Sequence, residues 1–315
     1  GKLVPQIGRT VKLLYGIYIV MTTILIVLLM LAGMPLYDSL VHAFGTAGTG
    51  GFSVKNVSIA AYNNVSIEVI ITIFMLLFGV NFTLYYQMLK GNFRLFYKDE
   101  EFRFYIGTVI VAIILITLDL SANVFSSVWE SLRHSSFQVS TIITTTGYST
   151  TDTNLWPMFS KFILLLLMFT GASAGSTGGG IKCIRILLMF KIVRREVAKI
   201  IHPRSVYTVK FDGKVVEEET LSGIMAFFFT FIFIFAAAVL IVSLDGMDFM
   251  STFSSVAATL NNIGPGLETV GPVGNYSGLS YLSKVTLALC MIIGRLEIYP
   301  VLLLFAPTFW KRVNI

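Results

Sequence analysis

Three short glycine-containing loops recur along this chain of 315 residues, each between two long apolar segments. The loops are 47–53, 144–149 and 261–266. Their central glycines, Gly51, Gly147 and Gly264, are 96 and 117 residues apart. Glycine adopts positive φ angles without a steric penalty, so it allows successive carbonyl groups to be aimed at one axis. A repeated segment–loop–segment unit is typical of pores whose filters replace the water shell of an ion with backbone carbonyls.

The composition indicates a membrane protein. The chain is 55% hydrophobic and 13% charged, and its mean hydropathy is +0.81. Apolar stretches of about 20 residues can cross a bilayer as helices. Six such stretches occur, at about 12–34, 67–89, 102–120, 158–190 with an interruption, 221–244 and 285–309. We therefore predict an all-α, multi-pass membrane protein in which three helix–pore loop–helix units surround a central pore.

The repeats divide the chain into three predicted domains, 1–97, 98–215 and 216–315. Each contains a short segment before its loop that is too brief to span the membrane, and we interpret these segments as pore helices. The predicted pore helices are 36–47, 128–143 and 249–260. Their C-terminal ends carry partial negative charge and face the loops, which favours a cation over an anion. An ordinary glycine turn would explain one such loop, but not three in equivalent places.

The backbone carbonyls of nine loop residues are predicted to form the cation filter. They are Thr49, Gly50 and Gly51 in the first loop, Thr145, Thr146 and Gly147 in the second, and Asn262, Ile263 and Gly264 in the third. The first loop is rich in glycine, which leaves its alignment open by one residue. The third loop differs from the others because Pro265 follows its central glycine.

A glycine-rich segment, 171–180, interrupts the fourth apolar stretch. Each glycine in a helix interior costs about 0.5–1 kcal/mol relative to alanine, so the segment should leave the helix and form a loop under the filter. We predict that its later part is a gate, formed by Gly175, Ser176, Thr177, Gly178, Gly179 and Gly180. A phosphate-binding loop is excluded because no Lys-Ser/Thr pair closes the motif. A packing site for small residues between helices remains the alternative.

Arg295 lies deep in the last apolar stretch, eleven residues after Lys284 and sixteen before Lys311. A charge at such a depth is costly and usually faces water or a partner. We predict that Arg295 is a cation barrier beneath the filter and part of the gate. The alternative is a structural ion pair, for which Glu297 is a poor partner because positions i and i+2 do not share a helix face.

The charge distribution predicts the orientation of the chain. One predicted side of the membrane has 18 Lys and Arg residues, and the other side has 4. The first side holds 1–12, 90–103, 182–214 and 311–312. The basic side should be cytoplasmic, so all three loops enter from the outer face. The net charge of +6 then reflects topology and gives no reason to expect nucleic-acid binding. The basic, apolar stretch after Lys182 could dock a soluble partner or bind anionic membrane lipid.

Three parts of the chain resemble the TrkH/KtrB superfamily of bacterial potassium uptake proteins: 171–182, 260–266 and 294–299. The resemblance extends over nearly the whole chain. It implies gated K⁺ uptake across the bacterial inner membrane, with K⁺ held by the filter carbonyls and with the glycine segment and Arg295 as the gate region. It also implies a homodimer and a cytosolic, nucleotide-binding regulatory subunit of the TrkA type. The family has four pore-loop repeats, so a further repeat is expected upstream.

Two other classes of protein fit the sequence less well. A secondary transporter that couples K⁺ to Na⁺ or H⁺ usually has inverted repeats, whereas these three enter from one side. An enzyme within the membrane would need paired carboxylates, a His-Glu-x-x-His motif or a Ser/His pair in the spans, and the sequence has none of them. We therefore expect no enzymatic activity and no cofactor in this chain.

Overall fold

The computed structural model describes residues 3–304, with side chains from residue 11 onward. The α-helices in this range are α1 (Leu3–Leu31), α2 (Leu36–Ala47), α3 (Val65–Phe78), α4 (Phe82–Leu89), α5 (Phe93–Lys98), α6 (Glu100–Asn123), α7 (Val128–Ile143), α8 (Met158–Thr170), α9 (Cys183–Ile201), α10 (Glu218–Val242), α11 (Phe249–Leu260), α12 (Tyr281–Arg295) and α13 (Ile298–Leu304). The strands described are β1 (Lys210–Phe211) and β2 (Lys214–Val215), which form one antiparallel hairpin. The last part of the sixth apolar stretch, 305–309, and Lys311 lie outside the described residues.

The same order of elements occurs three times. A long helix (α1, α6 or α10) is followed by a short helix (α2, α7 or α11), a loop and a second helical part. The three short helices begin and end at the residues predicted, so the pore-helix boundaries are confirmed. With 12 residues, α2 and α11 are each about 18 Å long, well below the thickness of a bilayer core.

The second helical part of each repeat is broken, which the sequence predicted only for the middle repeat. The axes of α3 and α4 differ by 88°, and those of α12 and α13 differ by 112°. The first break follows Gly79, and Asn81 then starts α4 by accepting a hydrogen bond from the Thr83 N–H at 2.9 Å. The second break contains Glu297 at φ 60°, a left-handed conformation that ends α12. The prediction of continuous spans at 67–89 and 285–309 was therefore wrong.

Three unbroken helices in the described range are long and apolar enough to cross a membrane: Val11–Leu31, Glu100–Asn123 and Glu218–Asp245. The number rises to five if each bent pair is counted as one span. Their outward faces carry large exposed apolar side chains, including Leu31, Leu118 and Phe229, which are 78%, 62% and 77% exposed. Apolar side chains on this scale suit a lipid environment. The chain is a membrane protein.

Ion pairs join neighbouring repeats at the loop side of the molecule. The Arg133 guanidinium on α7 donates from Nε and Nη2 to the two carboxylate oxygens of Glu68 on α3, each at 2.6 Å. Lys161 on α8 donates to Glu268, beyond the third loop, at 2.6 Å. Glu68 is only 3% exposed, so its bidentate pairing offsets the cost of burying its charge.

Candidate functional site: three loops and a glycine segment

The three glycine loops share one hydrogen-bond pattern. In each loop, the residue before the central glycine donates its N–H to the carbonyl five residues earlier: Gly50 to Gly45 at 2.7 Å, Thr146 to Thr141 at 2.8 Å and Ile263 to Ala258 at 2.8 Å. The residue one position further back donates to the carbonyl three residues earlier: Thr49 to Thr46 at 3.3 Å, Thr145 to Ile142 at 3.0 Å and Asn262 to Thr259 at 3.1 Å. Each short helix therefore passes into its loop by the same turn.

The loops also share one pattern of backbone angles. The residue two before the central glycine is left-handed in each: Thr49 at φ 52°, Thr145 at φ 57° and Asn262 at φ 58°. The central glycines follow with φ of 65° at Gly51, 90° at Gly147 and 104° at Gly264. A β-branched residue with positive φ is a true outlier, and two of these three residues are threonine. The shared angles make Gly51, Gly147 and Gly264 equivalent positions.

Neighbouring loops contact one another through their backbones. A Cβ added to Gly51 would lie 1.9 Å from the Thr146 carbonyl oxygen, and one added to Gly147 would lie 2.2 Å from the Ile263 carbonyl oxygen. No side chain fits at these two positions without moving a backbone. The predicted filter residues of the three repeats are therefore brought side by side, with glycine required where the loops meet.

Side chains behind the loops connect the first loop to the second. The Tyr148 hydroxyl donates to the His42 carbonyl at 3.1 Å and lies 3.5 Å from the Phe52 carbonyl. The His42 ring is fully buried, and its Nε2 lies 2.9 Å from Ser53 Oγ. Phe52, Ser53 and Tyr148 belong to the predicted loops, but their contacts with one another and with His42 were not predicted. An aromatic residue directly after a loop glycine was the one signal that could have drawn attention to Tyr148.

The glycine segment, 171–180, lies against the inner ends of all three loops. The Thr49 hydroxyl donates to the Thr177 carbonyl at 3.0 Å, and the Gly179 N–H donates to Thr145 Oγ1 at 2.6 Å. A Cβ on Gly179 would lie 2.6 Å from the Asn261 carbonyl oxygen. The segment is not helical, as predicted. Its glycines also pack closely against neighbouring backbone, as expected for the alternative interpretation, a packing site for small residues.

The base of the segment is held by the surrounding helices. The Cys183 N–H donates to the Ala172 carbonyl at 3.0 Å, which closes the segment into a loop. The Ser173 N–H donates to the Gly79 carbonyl at 3.0 Å, and the Phe82 N–H donates to the Gly175 carbonyl at 3.2 Å. The break between α3 and α4 therefore supplies backbone groups that fix the segment under the loops.

Arg295, the last residue of α12, faces this segment. Its Nη1 donates to the Thr177 carbonyl at 3.3 Å, and the side chain lines a cavity of about 700 Å³ beneath the loops. Within the described residues, Arg295 forms no ion pair, whereas Glu297 pairs with Arg185 on α9 at 2.8 Å. The nine predicted filter residues and the seven predicted gate residues thus belong to one continuous site. No group of three or more His, Cys, Asp or Glu residues suited to a metal ion occurs in the described part of the chain.

Comparison with known proteins gives a family for this architecture. The family described as TrkH, cation transport protein, matches residues 1–312. The chain is 38% identical over 314 residues to the Trk system potassium uptake protein TrkH of Salmonella typhimurium, and 34% identical over 311 residues to TrkG of Escherichia coli. These alignments cover 99% and 98% of this chain.

A solved structure shows the same fold. The crystal structure of the potassium transporter TrkH from Vibrio parahaemolyticus matches 99% of this chain with a TM-score of 0.90 at 36% identity. The chain covers 67% of that structure and 65% of the Salmonella protein, so it spans just under two-thirds of that relative's length. The prediction of an all-α membrane protein with pore-loop repeats is confirmed. The chain belongs to the TrkH family of cation transport proteins.

Proposed function

We propose that this chain forms part of a gated, channel-like pathway for K⁺ uptake and has no enzymatic role. The observation that carries the proposal is the shared backbone of the three loops, with equivalent positive φ angles at Gly51, Gly147 and Gly264. Alternation of positive and negative φ along each loop turns successive carbonyls toward one side, where they can replace the water shell of an ion. The Salmonella, E. coli and Vibrio relatives carry names that specify potassium uptake or transport.

The filter would consist of the nine loop residues already named, with K⁺ bound by their backbone carbonyls. Three short helices end at these loops, and their C-terminal partial charges favour a cation. Because the loops touch through their backbones at Gly51 and Gly147, the carbonyl positions of one loop depend on the next. We propose no cofactor for this site, because backbone carbonyls bind K⁺ directly.

The gate would be the glycine segment, from Gly175 to Gly180, together with Arg295. The segment lies across the inner ends of the loops, and Arg295 adds a positive charge on the same side. At about 6 Å and an effective dielectric constant of 20, this charge repels a passing cation by about 3 kcal/mol. A displacement of the segment and of Arg295 would remove both the steric and the electrostatic obstruction.

The proposed setting is the bacterial inner membrane, with the basic side in the cytoplasm and the three repeats 1–97, 98–215 and 216–315 as structural units. Support comes from the concentration of Lys and Arg on the side opposite the loops. We further propose a homodimer and a cytosolic nucleotide-binding regulator of the TrkA type. Both partners are what the family resemblance implies, and α9 presents exposed apolar and basic side chains on the same side, including Phe190, Val193 and Arg194.

A secondary transporter that couples K⁺ to Na⁺ or H⁺ is the second candidate. The entry of all three loops from one side favours the channel-like pathway. Flux of ⁸⁶Rb⁺ into K⁺-loaded vesicles, measured with the protein as encoded by its gene, distinguishes the two. A channel conducts Rb⁺ without moving Na⁺ or H⁺, whereas a coupled transporter moves Na⁺ or H⁺ together with Rb⁺, so the accompanying Na⁺ and H⁺ fluxes are measured as well.

The same assay tests the filter through Gly147→Ala. A methyl group at this position would meet the Ile263 carbonyl oxygen at 2.2 Å, so the second and third loops must separate. We expect the preference for Rb⁺ over Na⁺ to be lost. Gly213→Ala is the control, because Gly213 also has positive φ, 77°, but no atom lies within 4 Å of its Cβ position. Unchanged selectivity in Gly147→Ala would remove this loop from the filter.

A further inference from the structure

A buried carboxylate, Glu101, joins both ends of the glycine segment. Glu101 is the second residue of α6 and is only 3% exposed. Its Oε1 accepts hydrogen bonds from the Ala174 N–H at 2.6 Å and from the Ile184 N–H at 3.1 Å. Ala174 lies near the start of the segment, and Ile184 lies in the first turn of α9, directly after it. One oxygen atom therefore fixes the spacing between the two ends.

The N-terminus of α9 lacks a local cap. Lys182, at the cap position, has φ 77° and makes no capping hydrogen bond with its side chain. The first N–H groups of a helix need acceptors, and their partial positive charge favours a carboxylate. Glu101 supplies this acceptor from α6, which is remote in sequence. A buried carboxylate is tolerated only when it is hydrogen-bonded, so these contacts also hold Glu101 in place.

The contacts of Glu101 differ in location from those of the loops. Thr49 and Thr145 bind the tip of the segment, at Thr177 and Gly179, where it meets the proposed filter. Glu101 binds the base, and it belongs to α6, an unbroken helix long enough to span the membrane. A movement of α9 relative to α6 would therefore strain the hydrogen bonds of Glu101, together with the ion pair that joins Lys191 on α9 to Glu100 on α6.

We propose that Glu101 is a positioning residue of the gate, whose carboxylate holds the glycine segment beneath the filter by binding its base and the start of α9 together. This inference rests on the proposed function, since it assumes that the segment obstructs an ion pathway. The closed position of the glycine segment then depends on Glu101, a side chain that is distinct from Arg295 and belongs neither to the loops nor to the segment.

The test is basal ⁸⁶Rb⁺ flux through Glu101→Ala and Glu101→Gln in vesicles, with the protein as encoded by its gene and no regulator added. Glu101→Ala removes the acceptor, and we expect basal flux to rise about tenfold, which corresponds to about 1.4 kcal/mol. Glu101→Gln keeps an acceptor oxygen without the charge, so its flux should lie between wild type and Glu101→Ala. Glu68→Ala is the matched control, because Glu68 is also 3% exposed but pairs with Arg133 at the loop side. It should lower thermal stability without raising flux.

A second measurement separates a displaced segment from general unfolding. A cysteine introduced by Ser176→Cys should react faster with an impermeant thiol reagent from the basic side when Glu101→Ala or Glu101→Gln is present. Each Glu101 variant without Ser176→Cys gives the background from Cys183 and Cys290, which are buried in the wild type. If Glu101→Ala does not fold, the flux and the labelling rate of Glu101→Gln alone test the role of Glu101.

Deletion of Gly175 to Gly179 distinguishes this inference from the proposed function. If the deletion raises flux but both folded Glu101 variants behave like wild type, the role of Glu101 is wrong and the gate stands. An equal rise in Glu68→Ala would also overturn the inference, because any loosening of the fold would then suffice. If neither the wild type nor the deletion conducts Rb⁺, the proposed function fails, and the inference fails with it.

Discussion

Two threonines in left-handed conformation are the least expected residues of this site. A non-glycine residue held in a sparsely populated region costs about 1–3 kcal/mol unless its surroundings compensate. Thr49 and Thr145 have φ of 52° and 57°, and each uses its hydroxyl to bind the glycine segment. The strain in the loops is thus linked to contacts with the proposed gate. Composition and spacing identified the loops, but they could not show that a hydroxyl in each of the first two loops reaches residues more than 30 positions away.

Arg295 is the other residue on which the proposed gate depends. Arg295→Ala removes its charge from the cavity, and since repulsion of about 3 kcal/mol corresponds to roughly a hundredfold in rate, we expect flux to rise by up to this factor. Arg295→Lys should keep most of the barrier. Flux of ⁸⁶Rb⁺ and thermal stability, measured on the same samples, check this expectation.

Lys284→Ala provides the control for Arg295→Ala, because Lys284 is an exposed cation on the same helix but near its loop-side end. It should leave flux unchanged. If Arg295→Ala were less stable than wild type and showed no gain in flux, Arg295 would be a structural cation and not a barrier.

At the scale of elements, the sequence predicted more of the first half of each repeat than of the second. The bounds of α2, α7 and α11 follow from short segments that end at glycine loops, and all three were predicted correctly. The breaks after Gly79 and at Glu297 were missed, because their flanking residues are apolar enough to continue a span. Gly79 and Asn81 carried the available signal, a glycine followed by a helix cap. Glu101 was missed because its partners are backbone groups, which leave no mark in a sequence pattern.

The contact between the second loop and the glycine segment gives an element-scale prediction. Thr145→Val keeps the shape of the side chain but removes the oxygen that accepts from the Gly179 N–H at 2.6 Å. An unsatisfied buried N–H costs about 1–3 kcal/mol, so the segment should leave this position more often. We expect higher basal ⁸⁶Rb⁺ flux than in wild type.

Thr141→Val is a matched control for Thr145→Val. Thr141 is fully buried on α7, the pore helix that ends at this loop, and its hydroxyl has no hydrogen-bond partner among the described residues. Replacing this hydroxyl with a methyl group should leave flux unchanged and stability equal or higher. A similar rise in flux for both variants would show that the effect comes from repacking and not from the lost hydrogen bond.

At the scale of the whole molecule, the distribution of charge and the placement of the loops agree. The three loops and the ion pairs of Glu68 and Lys161 lie toward one end of the helices. The other end has α5, the exposed part of α9 and the β hairpin, with most of the Lys and Arg residues. Lys and Arg concentrate in cytoplasmic loops, so the sequence alone predicts that this end faces the cytoplasm. The packing of the repeats around a common site could not be predicted from the sequence, since it depends on contacts between residues far apart in the chain.

The orientation is tested with two matched valine substitutions on opposite sides. Val57 follows the first loop and is 53% exposed, whereas Val206 precedes the β hairpin and is 93% exposed. In intact cells, Val57→Cys should react with an impermeant thiol reagent applied outside, and Val206→Cys should react only after the inner membrane is opened. Cys183 and Cys290 are buried, so the wild type should give little background. Labelling of Val206→Cys from outside would reverse the orientation, and the proposed gate would then face the exterior instead of a cytosolic regulator.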